Sequence, residues 1–210
     1  MLEMIDGKII QKRATGLGKL IKVVAFQFQL YTNILTSIYY EIGKPPTLEQ
    51  IKEKHPDLLS VNIVAQVFTA MVIEAFYFDY YYEKTSKTRA EEWSKQSPIC
   101  KFEQITSEFF HIENPKDLTL YKDLKELNTI RIRYIHNKSS EIGKSQKDLN
   151  NFSADGCIQL LREFFHFFAK NDPNCLVASL TYKSLTELQI NEKGFSGKNG
   201  VSKNLGHPPL

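Results

Sequence analysis

The stretch 61-VNIVAQVFTAMVIEAFYFDYYYE-83 decides the fold. It is apolar on nearly every side, and Ala65, Ala70 and Ala75 let neighbouring elements approach closely. It reads as a helix over 61–83 capped by Ser60, and a helix apolar all round belongs at the centre of a fold or in an interface.

Working outward, the segment 20–42 repeats apolar residues at 20, 21, 24, 28, 31, 35, 38 and 39, the three-and-four spacing of a helix. Its β-branched residues (Val23, Val24, Thr32, Ile34) suit a strand, but a run longer than about 20 residues decides for helix. Gly43 and Pro45-Pro46 stop it. Thr47 with Gln50 has capping-box spacing and opens a short helix. Downstream, 87–95 and 98–112 read as short helices separated at Pro98, and Asn114-Pro115 as a turn. Asp117 opens a helix over 118–134, whose face is Leu120, Leu124, Leu127, Ile130 and Tyr134. The polar stretch 138–152 reads as a loop, and 155–170 as a helix with the stripe Leu160, Leu161, Phe164, Phe165 and Phe168. Residues 171–174 turn the chain, and 175–190 form a last helix or strand. The first 16 residues read as a loose lead-in or a short helix. From Asn191 the Gly/Ser/Lys/Asn-rich sequence reads as a disordered tail over 191–210. The expected fold class is all-α: one domain over 1–190, a bundle of four to five main helices with short accessory helices.

Composition agrees. The 210 residues are 42% hydrophobic and 12% aromatic, enough for a real core, and only 8 Pro and 10 Gly interrupt them. The net charge of +3 is small and Lys-dominated, which neither demands nor forbids RNA and argues against a DNA-coating protein. Cys100, Cys157 and Cys175 form no CxxC pair and no ligand-spaced set with His, so reduced thiols in the cytoplasm are expected. No cationic-then-apolar leader opens the chain, and no stretch is expected to reach the ~20 apolar residues of a membrane span. Phosphate loops, dinucleotide fingerprints, HExxH and GxSxG are all missing, so no cofactor and no metal is expected.

One segment carries chemistry. In 124-LKELNTIRIRYIHNKSSE-141, Arg131 and Arg133 precede His136 where a helix gives way to a polar loop. Positions 133 and 136 lie about 60° apart around a helix and can touch, whereas 131 and 136 lie about 140° apart unless the last turn at Asn137 frays or tightens. Histidine exchanges protons near neutral pH, and a guanidinium forks onto phosphate. Together they suffice for metal-free phosphodiester cleavage. The same residues equally suit a helix C-terminus, where cations meet the negative end of the dipole. Glu74, in an apolar helix, needs a cation, and an ion pair with one of these arginines satisfies it. The cluster Tyr77, Tyr80, Tyr81, Tyr82 can stack bases, but packing is the preferred role. His166 is expected at a surface or in helix packing near Arg162.

The run Leu124, Leu127, Asn128, Arg131, Ile135, His136, Asn137 resembles the signature helix of HEPN-domain proteins, in which an Arg precedes a His with four residues between. The helix with Ala65, Ala70, Glu74 and Ala75 is similar to the apolar, acid-bearing helix that accompanies it. The match covers mainly 61–83 and 118–170. It implies an all-α bundle, usually a homodimer whose two Arg/His motifs form one RNase cleft, and a metal-independent endoribonuclease of toxin–antitoxin or phage-defence systems. An antitoxin or other protein partner follows from the same resemblance. Arg131 and His136 take the motif positions, with Arg133, Asn137 and Glu74 in support. In catalytic members the residue after the Arg is usually polar. Here it is Ile132, which favours the rival expectation of a non-catalytic dimerisation or docking module on the same bundle.

Overall fold

The computed structural model describes residues 2–5, 8–11, 16–135 and 152–188. Two strands open it, β1 (Leu2–Ile5) and β2 (Lys8–Gln11), paired antiparallel with Leu2 opposite Gln11 and Ile5 opposite Lys8. This corrects the expected lead-in or short helix. The missed signal is Asp6-Gly7 between two apolar-containing runs, the strongest short-range cue for a hairpin.

Everything else described is helical or connecting chain. Helix α1 (Leu17–Ile42) ends at Gly43, whose left-handed φ of 72° lets its N–H reach the Tyr39 carbonyl. Helix α2 (Leu48–Lys54) carries the complete Thr47/Gln50 capping box. Helix α3 (Leu58–Lys84) starts earlier than expected: Asp57, not Ser60, is its N-cap, and Ser60 lies inside the first turn. Helices α4 (Lys87–Trp93) and α5 (Pro98–Phe110) each begin after a serine whose hydroxyl accepts a backbone N–H, Ser86 from Arg89 and Ser97 from Cys100. A 3₁₀ turn at Pro115–Asp117 leads into α6 (Thr119–Ile135). The chain resumes at Phe152 and enters α7 (Ala154–Asn171), followed by α8 (Leu176–Glu187), so the last element is a helix and not a strand. The expected loop at 138–152 falls outside the described residues except for Phe152, and the expected tail at 191–210 falls wholly outside them. The fold is an all-α bundle with a small hairpin attached.

Helix α3 runs through the middle, touching α1, α4, α5, α6 and α7. Its length and apolarity are those of a membrane-crossing segment over Ser60–Lys84, contrary to the expectation that no stretch reaches that size. Much of that apolar surface is taken up by helix packing. Phe76 is 1% exposed and meets Phe164, Phe165 and Phe168 of α7 edge-to-face, at centroid distances of 5.4, 5.0 and 4.8 Å.

Hydrogen bonds fix this packing in register. The Ala154 N–H donates to Asn62 Oδ1 (2.9 Å) and Gln66 Nε2 donates to the Phe152 carbonyl (2.6 Å) at one end. At the other, the Tyr80 hydroxyl donates to Asp172 Oδ2 (2.9 Å), which also meets Lys84 Nζ at 2.6 Å. Both ends pair residues 92 apart in sequence, so α3 and α7 run parallel. The end of α8 is held by Arg162, whose Nε and Nη2 donate to the carbonyls of Leu185 and Leu188. That occupies the C-terminal carbonyls that a helix leaves unpaired. His166 is exposed, its ring 4.8 Å from that of Tyr182.

Phe76→Ala removes the ring that all three α7 phenylalanines contact. It is expected to cost about 3–5 kcal/mol in urea unfolding followed by circular dichroism. A loss below about 1 kcal/mol would mean that this contact does not organise the core.

Candidate functional site

Helix α3 also packs against α5 and α6, and the Tyr77 ring reaches Phe164 and Phe168 of α7. Glu74 sits near the middle of α3 and Tyr77 lies three residues on, hence on the same side. Helix α6 brings Arg131 across to meet them, because Leu124, Leu127 and Ile130 are all buried and fix the helix's rotation. Arg131 Nη1 donates to Glu74 Oε1 at 2.8 Å. The two side chains remain 23% and 28% exposed, so the pair stands at the edge of the core and is partly screened by water. Glu74 thus has the cationic partner its position in an apolar helix requires.

A third charge stands close by. Lys101 of α5 is only 6% exposed, and its Nζ lies 5.7 Å from the Trp93 ring centre. Burial lowers the Lys101 ammonium pKa, Glu74 partly restores it, and the positive Arg131 lowers it further. Trp93 is itself pinned. Its ring stacks on Tyr81 at 4.1 Å, and its Nε1 donates to Gln104 Oε1 at 2.8 Å. Lys101 therefore lies against a rigid aromatic wall beside the Glu74–Arg131 pair.

Between α3, α5 and α6 lies a pocket with apolar walls that include Ile73, Leu124 and Leu127. Tyr77, Asn128 and Arg131 supply its polar lining, and the packed side chains leave about 20 Å³, room for one water-sized group. Two of those polar groups have no hydrogen-bond partner among the described residues: the Tyr77 hydroxyl and Arg131 Nε, both buried. The Tyr77 phenol is held protonated well above its ordinary range, by burial first and by the nearby Glu74 charge second. At any ordinary pH it is a donor without an acceptor.

Of the residues expected to act, the structure brings Glu74 and Arg131 together. Arg133 lies on α6, but its side chain is outside the described part, and His136 and Asn137 lie outside the described residues. Tyr77, Tyr80 and Tyr81 are buried in the packing role, with Tyr82 half-buried. Lys101 was missed by sequence reading. In 98-PICKFEQIT-106 it looks like any helix-surface lysine, and only its tertiary neighbours give it a role. The described cysteines are all free, and no metal-ligating cluster occurs among the described residues. No protein family, curated protein or solved structure matches this chain.

The depressed Lys101 pKa gives a pH signature. Between the lowered native pKa and the unfolded value of 10.5, the unfolded chain binds more protons at this site. Stability contributed by Lys101 therefore rises as pH rises through that window. Lys101→Met should remove this rise and stabilise the protein at neutral pH, both read from urea midpoints between pH 7 and 10. An unchanged pH slope in the variant would show that Lys101 carries no buried charge.

Proposed function

We propose that this chain is a HEPN-like, RNA-binding helical protein that acts as a homodimer and cleaves RNA without a metal. The observation that carries the reading is Arg131. It is held by Glu74 at the end of α6, beside Lys101, with about a quarter of its side chain at the surface and His136 five residues further along the sequence. Glu74, Arg131 and Lys101 together leave one net positive charge at a partly buried site, which suits a phosphate. In this scheme Arg131 stabilises the charged phosphate and His136 transfers the proton of the ribose 2′-hydroxyl, with Arg133 and Asn137 assisting. Dimerisation has support in exposed apolar side chains on three helices: Phe26 (60% exposed) and Leu30 on α1, Met71 on α3 and Ile132 on α6. A toxin or phage-defence role and a cognate antitoxin belong to the same proposal.

One observation favours a second reading. Ile132, next to Arg131, is 47% exposed where catalytic relatives carry a polar residue. An exposed apolar side chain beside the motif suits a non-catalytic docking module that uses the bundle to bind a protein.

The two readings separate in an RNase assay on purified protein with excess chelator. Cleavage should persist in the wild type and vanish in His136→Ala, with helicity by circular dichroism unchanged. Arg131→Ala should lower the rate by two orders of magnitude or more, about what removing one transition-state donor costs. Equal cleavage by wild type and His136→Ala would refute the catalytic reading. Neither RNA binding nor cleavage by folded wild type would select the docking module.

A further inference from the structure

We infer that the open hollow beside α6, lined by Lys116, Lys122 and Lys125, binds the sugar–phosphate backbone of single-stranded RNA and leads the strand along α6 toward its C-terminal end. The inference rests on the RNA-binding reading and adds to it a surface that recognises backbone charge. The hollow has a volume of about 530 Å³ and is open to solvent, and Tyr121, Glu126 and Thr129 complete its lining. Lys122 and Lys125 are exposed, and the Lys116 side chain is 70% exposed, so all three ammonium groups can meet a ligand.

Charge and chemistry narrow the partner. Helix α6 carries Lys122, Lys125, Arg131 and Arg133 against Asp123 and Glu126, whereas α3 carries Lys84 against Glu74, Asp79 and Glu83. Around α6, positions 129 and 133 fall within about 20° of 122, and 125 lies about 60° to one side. That face runs roughly 16 Å from position 122 to position 133. His136 follows the last residue of the helix in the sequence. Position 131 is half a turn away from 122, in keeping with the inward contact of Arg131 with Glu74, and this leaves the lysine face to solvent. The hydroxyls on the lining are already used. Tyr121 donates to Glu103 Oε1 (2.7 Å) and Thr129 to the Lys125 carbonyl (2.9 Å). Tyr121 is 8% exposed, too buried to stack a base. What the hollow offers a ligand is therefore ammonium charge, which holds phosphates as point charges and does not read sequence. Lys116 is partly engaged by Glu103 at 3.9 Å, so Lys122 and Lys125 are the principal contacts.

Salt dependence reads such contacts directly, because each phosphate neutralised on a single strand contributes about −0.7 to the slope of log K against log[salt]. The probe is a fluorescent 2′-O-methyl RNA oligonucleotide, which keeps the backbone charge and has no free 2′-hydroxyl through which to be cleaved. Lys122→Gln/Lys125→Gln in the full-length protein should make the slope shallower by about 1.4 and weaken binding roughly tenfold or more at about 0.1 M salt. Both lysines are exposed, so helicity and the urea midpoint should stay as in the wild type. Lys19→Gln/Lys22→Gln is the control: it removes the same charge at the same spacing from the exposed start of α1, and the slope should not move. Equal slopes in wild type and the α6 variant would overturn the strand path and leave the RNA reading standing. An equal loss in the α1 control would also overturn the path, because binding would then follow total charge and not the hollow. No binding by folded wild type of this oligonucleotide or of unmodified RNA would overturn the path and the RNA reading together.

Discussion

The parallel packing of α3 on α7 is the constraint on which the rest of the molecule depends. Phe76 fills the space among Phe164, Phe165 and Phe168, and hydrogen bonds at Asn62, Gln66 and Tyr80 lock the two helices end to end. Parallel neighbours need a long connection, and everything between residues 84 and 154 serves as that connection. Helices α4, α5 and α6 fold back against α3, and Phe102 and Phe110 of α5 also reach Phe167 of α7. Arg131 of α6 meets Glu74 of α3 there, so the crossover is also what brings that pair together.

The clamp matters for a second reason. Asn62 and Gln66 bond to Ala154 and Phe152, where the chain resumes after the segment that contains His136. Arg131 is tied to Glu74 on the same helix α3. Both flanks of that segment are thus anchored to one rigid element, three turns apart along it.

Much of the architecture could be read directly, because the periods were strong and the punctuation was standard. Gly43, the Thr47/Gln50 box and Pro98 act where their backbone chemistry says they should. Errors arose where local chemistry was ambiguous. Ser60 is a good cap by type, but Leu58 and Leu59 precede it, and the helix takes them in because Leu58 can be buried. The Asp6-Gly7 signal is masked by surrounding residues that are mixed and charged. At the site, Glu74 and Arg131 stood out as a carboxylate in an apolar helix and a cation in a leucine-striped one. Tyr77 and Lys101 did not. Tyr77 is one of four close tyrosines and Lys101 one of many lysines, and what distinguishes them is an unpaired hydroxyl and a buried ammonium, which only tertiary contacts create.

Those contacts also change the weight of Ile132. Successive residues on a helix point about 100° apart, so the rotation that turns Arg131 inward to Glu74 turns Ile132 outward, where it is 47% exposed. An apolar residue at that position adds nothing to the polar lining of the pocket and removes nothing from it. Its consequences fall on the outer surface of α6 and not on the Arg131–Glu74 contact. Ile132 and the Arg131 guanidinium therefore occupy different faces of one turn of α6. Arg131 can therefore keep its inward contact with Glu74 whichever residue follows it.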